Sequence, residues 1–317
     1  MSRRRRRRRR WIRRRRRLPG VAAAVVVAVA AGLAAVVVGW LRRARRAAAD
    51  VPLSPLSAAG RVGPDWPERT GVATGTEPPG EMDDFSAFAR PGFDPERVPA
   101  EVRDFYERTA AYRMTYRVRW HAPFRLGAAA VAPLTGALEQ LNLPGRSGRG
   151  GRLHSRFVGV SDDADPRDDA RAWVRTDDDG DAVFVAVYAS HRRGDERFVN
   201  IAVPLPGGNL STVLRMEHLD GDDSGVESRD DPGGESGGVL LHTRAAGDPG
   251  LYLVTPLGAV ALPMNQEFRV RPDRSGAESG IVATQEMWLC GRQFLTVEYR
   301  AERTGEAARG YDSTSTS

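Results

Sequence analysis

The chain contains no lysine; all 47 of its basic residues are arginine. That absence excludes a Walker-type phosphate loop, a Ser-x-x-Lys nucleophile pair and a Schiff-base lysine. Cysteine is almost missing too. The single Cys290 excludes an intramolecular disulfide framework and any multi-cysteine zinc site. Its place in the apolar run Met287-Trp288-Leu289-Cys290 predicts a buried, inert thiol. The five histidines, His121, His154, His191, His218 and His242, show no paired metal spacing. There is no His-Glu-x-x-His helix, no Gly-x-Ser-x-Gly elbow and no dinucleotide fingerprint. No catalytic residue, metal ion or cofactor is therefore assigned from the sequence.

The formal net charge of +6 conceals a split. Residues 1–50 hold seventeen arginines and one acid, Asp50, for a net +16, and the remainder is −10. The basic pI of about 10.0 thus belongs to one end, and the main body is not expected to bind nucleic acid. Arg3–Arg10 and Arg13–Arg17 are expected to form a cytoplasmic tail over residues 1–17 that attracts anionic lipid headgroups. Leu18–Leu41 follows as 24 residues without a charge, long enough to span roughly 30 Å of hydrocarbon. It predicts a single uncleaved transmembrane helix through the lipid bilayer. The arginine excess on its N-terminal side places the C-terminal domain outside the cytoplasm, at the cell membrane.

Nine of the 21 prolines fall between residues 51 and 100, so residues 42–96 read as a disordered linker. A β-rich globular domain is expected over 97–303. It opens with a short helix from Pro99 in which Val102, Phe105 and Tyr106 share a face. Tyr112, Met114, Tyr116, Val118 and Trp120 then alternate with Arg113, Thr115, Arg117, Arg119 and His121, predicting a strand with one apolar and one cationic face. Phe124–Leu141 has helical spacing. Strands are predicted at 153–160, 170–176, 182–190, 197–204, 210–219, 238–244, 250–262, 266–271 and 281–300, the last as two strands. Val183–Tyr188, apolar on both faces, should be central. Residues 220–238 read as an acidic mobile insertion, and 304–317 as a disordered tail.

The fold class is thus mainly β (α+β): a largely antiparallel sandwich or barrel-like domain with one or two early helices. The candidate ligand-binding residues are Arg113, Arg117, Arg119 and His121, a cationic set suited to a carboxylate or phosphate. Asp220-Gly221-Asp222-Asp223-Ser224-Gly225 resembles part of a calcium loop but lacks the terminal glutamate and helical flanks. The functional expectation is a non-enzymatic envelope module for an anionic or lipid-like ligand or an envelope protein. Two alternatives stand beside it. One is an extracytoplasmic hydrolase or transferase using acids such as Glu267, Glu286 and Glu298. The other is a structural accessory subunit of a membrane complex.

Overall fold

The computed structural model of the protein describes residues 18–219, 237–275 and 280–304, with side chains described from Ala30 onward. The arginine tail, nearly all of the acidic insertion with its calcium-like pattern, and the C-terminal tail lie outside the described residues.

Twelve strands follow the helical segments: β1 (Tyr112–Trp120), β2 (Gly150–Gly159), β3 (Asp168–Thr176), β4 (Ala182–Arg193), β5 (Glu196–Leu205), β6 (Gly208–Leu219), β7 (Gly238–His242), β8 (Gly250–Thr255), β9 (Gly258–Ala261), β10 (Met264–Asp273), β11 (Gly280–Leu289) and β12 (Arg292–Arg303). Every pairing between these strands is antiparallel. Ten of them close on themselves: β1 to β7 in order, then β10, β11 and β12, with β12 returning to β1. The seam closes because β5 pairs with β6, which turns its second half to β7. The first half of β6 also pairs with β8, so the β8–β9 hairpin extends the wall. Closure removes the unpaired edges that an open sheet would expose. The architecture is a barrel, not a sandwich.

The four helices are α1 (Leu18–Ala48), α2 (Trp66–Arg69), α3 (Ala100–Glu107) and α4 (Arg125–Leu138). The expected transmembrane helix is not supported: among the described residues no helix is long and apolar enough to cross a membrane. Side chains of α1 are described only from Ala30, and Arg42, Arg43, Arg45 and Arg46 follow its apolar part. Ala44 and Ala48 are buried, and α1 packs along β9.

Residues 51–97 are not a disordered linker. Prolines suppress regular elements here, leaving only α2 and short 3-10 turns, but they do not prevent packing. Val62 and Trp66 are fully buried and cover the outer face of the wall with Val72, against Val174, Val185 and Val187. Phe85, Phe88, Phe93, Val98 and Val102 join Phe105 and Tyr106 of α3 in the cluster that fills the barrel. That plug is fastened at the rim, where Arg90 pairs with Glu196 at 2.9 Å and donates to the Met216 carbonyl. The boundary expected near residue 97 therefore cuts through a single packed core. It also explains β4, which is buried on both faces because plug residues meet one side and the 56–73 segment the other.

The alternation of β1 holds: Tyr112, Met114 and Val118 are buried, and Arg113, Arg117 and Arg119 are exposed. Cys290 is not buried. It is exposed at φ 49°, with Gly291 at φ 76°, in the tight turn between β11 and β12. Two successive positive φ angles suit a two-residue hairpin, so turn geometry overrides the apolar context.

Candidate functional site

The outward face of β1 does not form a cleft. Glu302 and Glu298 of β12 stand opposite Arg113 and Arg117, and Thr296 stands opposite Arg119. His121 lies past the strand end, its Nε2 2.9 Å from the Thr296 hydroxyl. Partial burial and the positive charges of Arg119 and Arg125 hold its pKa below the usual imidazole value, against the pull of Glu286. The four expected ligand residues thus lie on the barrel's exterior, and the apolar partners of that strand face the lumen.

The lumen contains a different set. A cavity of about 50 Å³ is bordered by Glu81, Tyr106, Trp173, Arg175, Tyr188 and Tyr299, with aliphatic and phenyl groups completing the wall. That volume accommodates a few water molecules, or a carboxylate-sized group with a short carbon chain. Strand alternation in β3 puts Arg171, Trp173 and Arg175 on the inner face, while Ala170, Ala172 and Val174 meet the outer covering. Arg171 is 3% exposed and reaches the plug, donating to the Gly80 carbonyl at 3.2 Å and to Asp83 at 2.8 Å.

Arg175 has no such carboxylate partner among the described residues. Its Nη2 donates to the Tyr188 hydroxyl at 2.9 Å, and its charge also reaches the Tyr299 hydroxyl, which itself donates to Gln285 Oε1 at 3.0 Å. Its plane lies 3.6 Å from the Trp173 ring centroid and 4.9 Å from that of Phe184. The Nε is buried without a hydrogen-bond partner. A guanidinium is always charged, so this is a cation in a largely apolar chamber, supported by π faces and a neutral hydroxyl.

The nearest acid, Glu81, does not neutralise it. Glu81 is only half-buried by surface area, since it borders the cavity, yet it is ringed by protein atoms. Removal from bulk water pushes its carboxyl up to about 8, although the charge of Arg175 pulls the other way. At neutral pH the protonated form dominates. Burial likewise raises Tyr106 and Tyr188, the latter despite the adjacent guanidinium. Gly80 places Glu81. A Cβ there would sit 2.4 Å from the Tyr106 carbonyl oxygen, so only glycine lets this segment close on α3, where Glu81 N–H donates to the same oxygen at 2.8 Å.

The acids singled out from the sequence are engaged elsewhere. Glu267 and Glu286 are direct cross-strand neighbours bridged by Arg269 at 2.9 Å and 2.6 Å, and Glu267 also pairs with Arg244. Glu298 stands on the exposed face of β12. His191 is buried, with Asp248 at 2.9 Å and Asn200 at 2.7 Å, and Arg193 shares Asp248. No group of three metal-ligating side chains occurs among the described residues. The loop at Pro206-Gly207 is the β5–β6 turn, and Asn209 donates to the Ser54 and Leu56 carbonyls.

Sequence reasoning missed Arg175 and Glu81. Arg175 was accessible in principle, because Trp173 and Arg175 share a strand face. Glu81 carried no signal, since its segment has no periodicity.

No family model matches the chain, and no solved structure matches it. The chain is similar to the uncharacterized membrane protein YndJ of Bacillus subtilis (strain 168), 29% identical over 223 residues. The match covers 69% of this chain and 37% of the relative, so the chain corresponds to little more than a third of that protein's length.

Proposed function

We propose that the protein is a membrane-associated binding module whose barrel lumen takes a small anionic group, a carboxylate or a phosphate, at Arg175. The observation that carries this reading is the buried guanidinium with an unpartnered Nε beside a cavity, with a protonated carboxyl as its nearest acid. A buried cation without an ionised partner is costly, and an incoming anion would remove that cost. The Arg175 fork and the Tyr188 hydroxyl supply donors in one place, as oxyanion recognition requires. The similarity to a membrane protein supports association with the membrane. The uncharged run Leu18–Leu41 is the segment proposed to anchor it, with the barrel extracytoplasmic; this rests on the sequence pattern alone.

The test is native mass spectrometry of the full chain in detergent, with and without added butyrate and butyl phosphate, and with butanol as a neutral control. Retention of the anions by the wild type, and loss in Arg175→Gln, is the expected result. Equal retention of butanol, or unchanged anion binding in the variant, would overturn the proposal.

A second reading is favoured by one observation. A carboxyl with a value of about 8 is poised to donate a proton at neutral pH, so Glu81 could act as a general acid on a ligand held at Arg175. This would place the acid–base alternative in the lumen and away from Glu267 and Glu286. Turnover of a bound ester or phosphoester that Glu81→Gln abolishes, with binding retained, would favour it over simple binding.

A further inference from the structure

Among the described residues, the large apolar side chains that stand exposed fall in three places: α1, α4 and the β8–β9 hairpin. The helix α4 is the anomaly. A surface helix of a water-soluble domain shows a polar face to solvent. Here Leu126 is 84% exposed, Leu134 60% and Val131 49%, and no residue of α4 is buried. Arg125 is its one charged residue. The hairpin turn is similar: Leu257 at its tip is 86% exposed.

The strand directions bring these features to one end of the barrel. β1 ends at Trp120 immediately before α4. β5 ends and β6 begins at that same end, and residue 58, bridged to Pro206 of the β5–β6 turn, leads to Val62, which donates to the Leu138 carbonyl at the end of α4. β8 pairs with β6 so that Val254 lies opposite Asn209, which puts the Leu257 turn beside the β5–β6 turn. α1 is seated on β9, the next strand of that hairpin.

Charge along the chain around α4 is mainly positive, although the β3–β4 turn at the same end carries Asp177, Asp178, Asp179 and Asp181. Between Arg108 and Val160 the sequence holds nine arginines, and Glu139 is the lone acid, within a body whose overall charge is negative. Glu139 is itself engaged by Arg61 at 2.5 Å. Arg117, Arg119, Arg125, Arg146 and Arg149 lie on or beside the end that bears α4, and all are exposed.

From this juxtaposition we propose that the α4-bearing end of the barrel is a membrane-docking face. In it, α4 and the Leu257 turn enter the acyl boundary of an anionic bilayer while the surrounding arginines contact lipid phosphates. A short apolar helix ringed by arginine is suited to lying in the interfacial plane, and apolar burial and charge attraction add. The contact is separate from the N-terminal apolar run and does not depend on lumen binding. It would hold the barrel flat on the bilayer, with the plug of residues 80–98 facing away.

The test uses the full chain with Cys290→Ser as background and an environment-sensitive fluorophore on Val131→Cys, Leu257→Cys or, at the opposite end, Asp195→Cys. The chain is reconstituted in phosphatidylcholine vesicles with or without phosphatidylglycerol and with lipid-attached quenchers. The expected result is a blue shift and acyl-depth quenching at positions 131 and 257 but not at 195, strengthened by phosphatidylglycerol. Changing Arg119, Arg125 and Arg149 singly to Gln should each weaken the phosphatidylglycerol effect by about fivefold. Water-like emission at 131 and 257 in anionic vesicles would overturn the proposal. So would equal quenching at 195, or disulfide linkage between 131 positions of two chains without lipid, which would make α4 an interface between copies.

Discussion

The Arg175 guanidinium lies 3.6 Å from the centroid of the Trp173 ring, two residues earlier on the same face of β3. The indole supplies the electron-rich surface on which a cation can rest inside an apolar chamber. It also turns the guanidinium edge toward the cavity, where Tyr188 is the partner and Nε is left without one.

A residue held for binding and not for stability behaves distinctively on replacement. Arg175→Met should leave the domain within about 1 kcal/mol of wild type or make it more stable, because removing a poorly compensated buried charge relieves desolvation. Anion binding should vanish in the same variant. Urea denaturation combined with the butyrate assay reads both. Destabilisation above about 3 kcal/mol would show that the cation is a structural post.

Glu81 makes stability depend on pH in the neutral range. Its folded value of about 8 lies above the 4.5 of a free glutamate, so the folded state holds a proton that the unfolded state releases. The contribution is fully present below pH 4.5 and is lost as pH rises toward 8. Glu81→Gln, which cannot ionise, should flatten that decline. Denaturation midpoints at intervals across the range would show it, and identical slopes in the two proteins would refute the assignment.

The proline-rich segment should behave as core. Trp66 and Phe85 are both 0% exposed. Trp66→Ala or Phe85→Ala should each cost roughly 3–5 kcal/mol. In a disordered linker the same changes would stay within about 0.5 kcal/mol. Limited proteolysis of the wild type should leave residues 56–98 intact.

Gln140 closes a gap in the wall. Its side-chain amide donates to the Val185 and Pro204 carbonyls, both at 2.9 Å, and accepts from Val185 N–H at 3.0 Å. Beyond the last β4–β5 pair, Val187 with Ala202, it stands in for the missing ladder bonds. Gln140→Leu should cost about 2–4 kcal/mol, because it leaves buried backbone groups unpaired. Faster amide hydrogen exchange at Val185, with the far side of the barrel unchanged, is the expected readout.

Asp165 is 0% exposed and receives both arms of Arg167 at 2.8 Å and 2.7 Å, with the Ser54 hydroxyl at 2.6 Å. Burial alone would raise its pKa, but the hydrogen bonds and charge of Arg167, with Ser54, lower it below 3.8. Its stabilisation is therefore present above pH 3.8 and is lost as the carboxylate protonates below that. Asp165→Asn should cost about 3–5 kcal/mol at neutral pH by stranding Arg167, and acid unfolding should begin at a higher pH in the variant.

The strand order along the chain was legible in the sequence because each strand carries its own period. Tyr112–Trp120 alternates, Val183–Tyr188 is apolar throughout, and Asp179-Gly180 and Gly291 mark turns. Those signals are local, so they survive without knowledge of neighbours. Barrel closure was not local: it depends on β5 meeting β6 and β12 meeting β1, residues far apart in sequence. The fate of residues 51–97 was decided in the same way. Proline density predicts the lack of regular structure, and that much holds, but whether an irregular chain packs depends on a concave surface being there to receive Trp66 and Phe85. The binding residues divide along the same line. The arginines of β1 were conspicuous because they are periodic, and tertiary structure turned them outward. Arg175 and Glu81 gain their chemistry only from enclosure, since removal from water is what leaves one cation wanting an anion and keeps one carboxyl protonated.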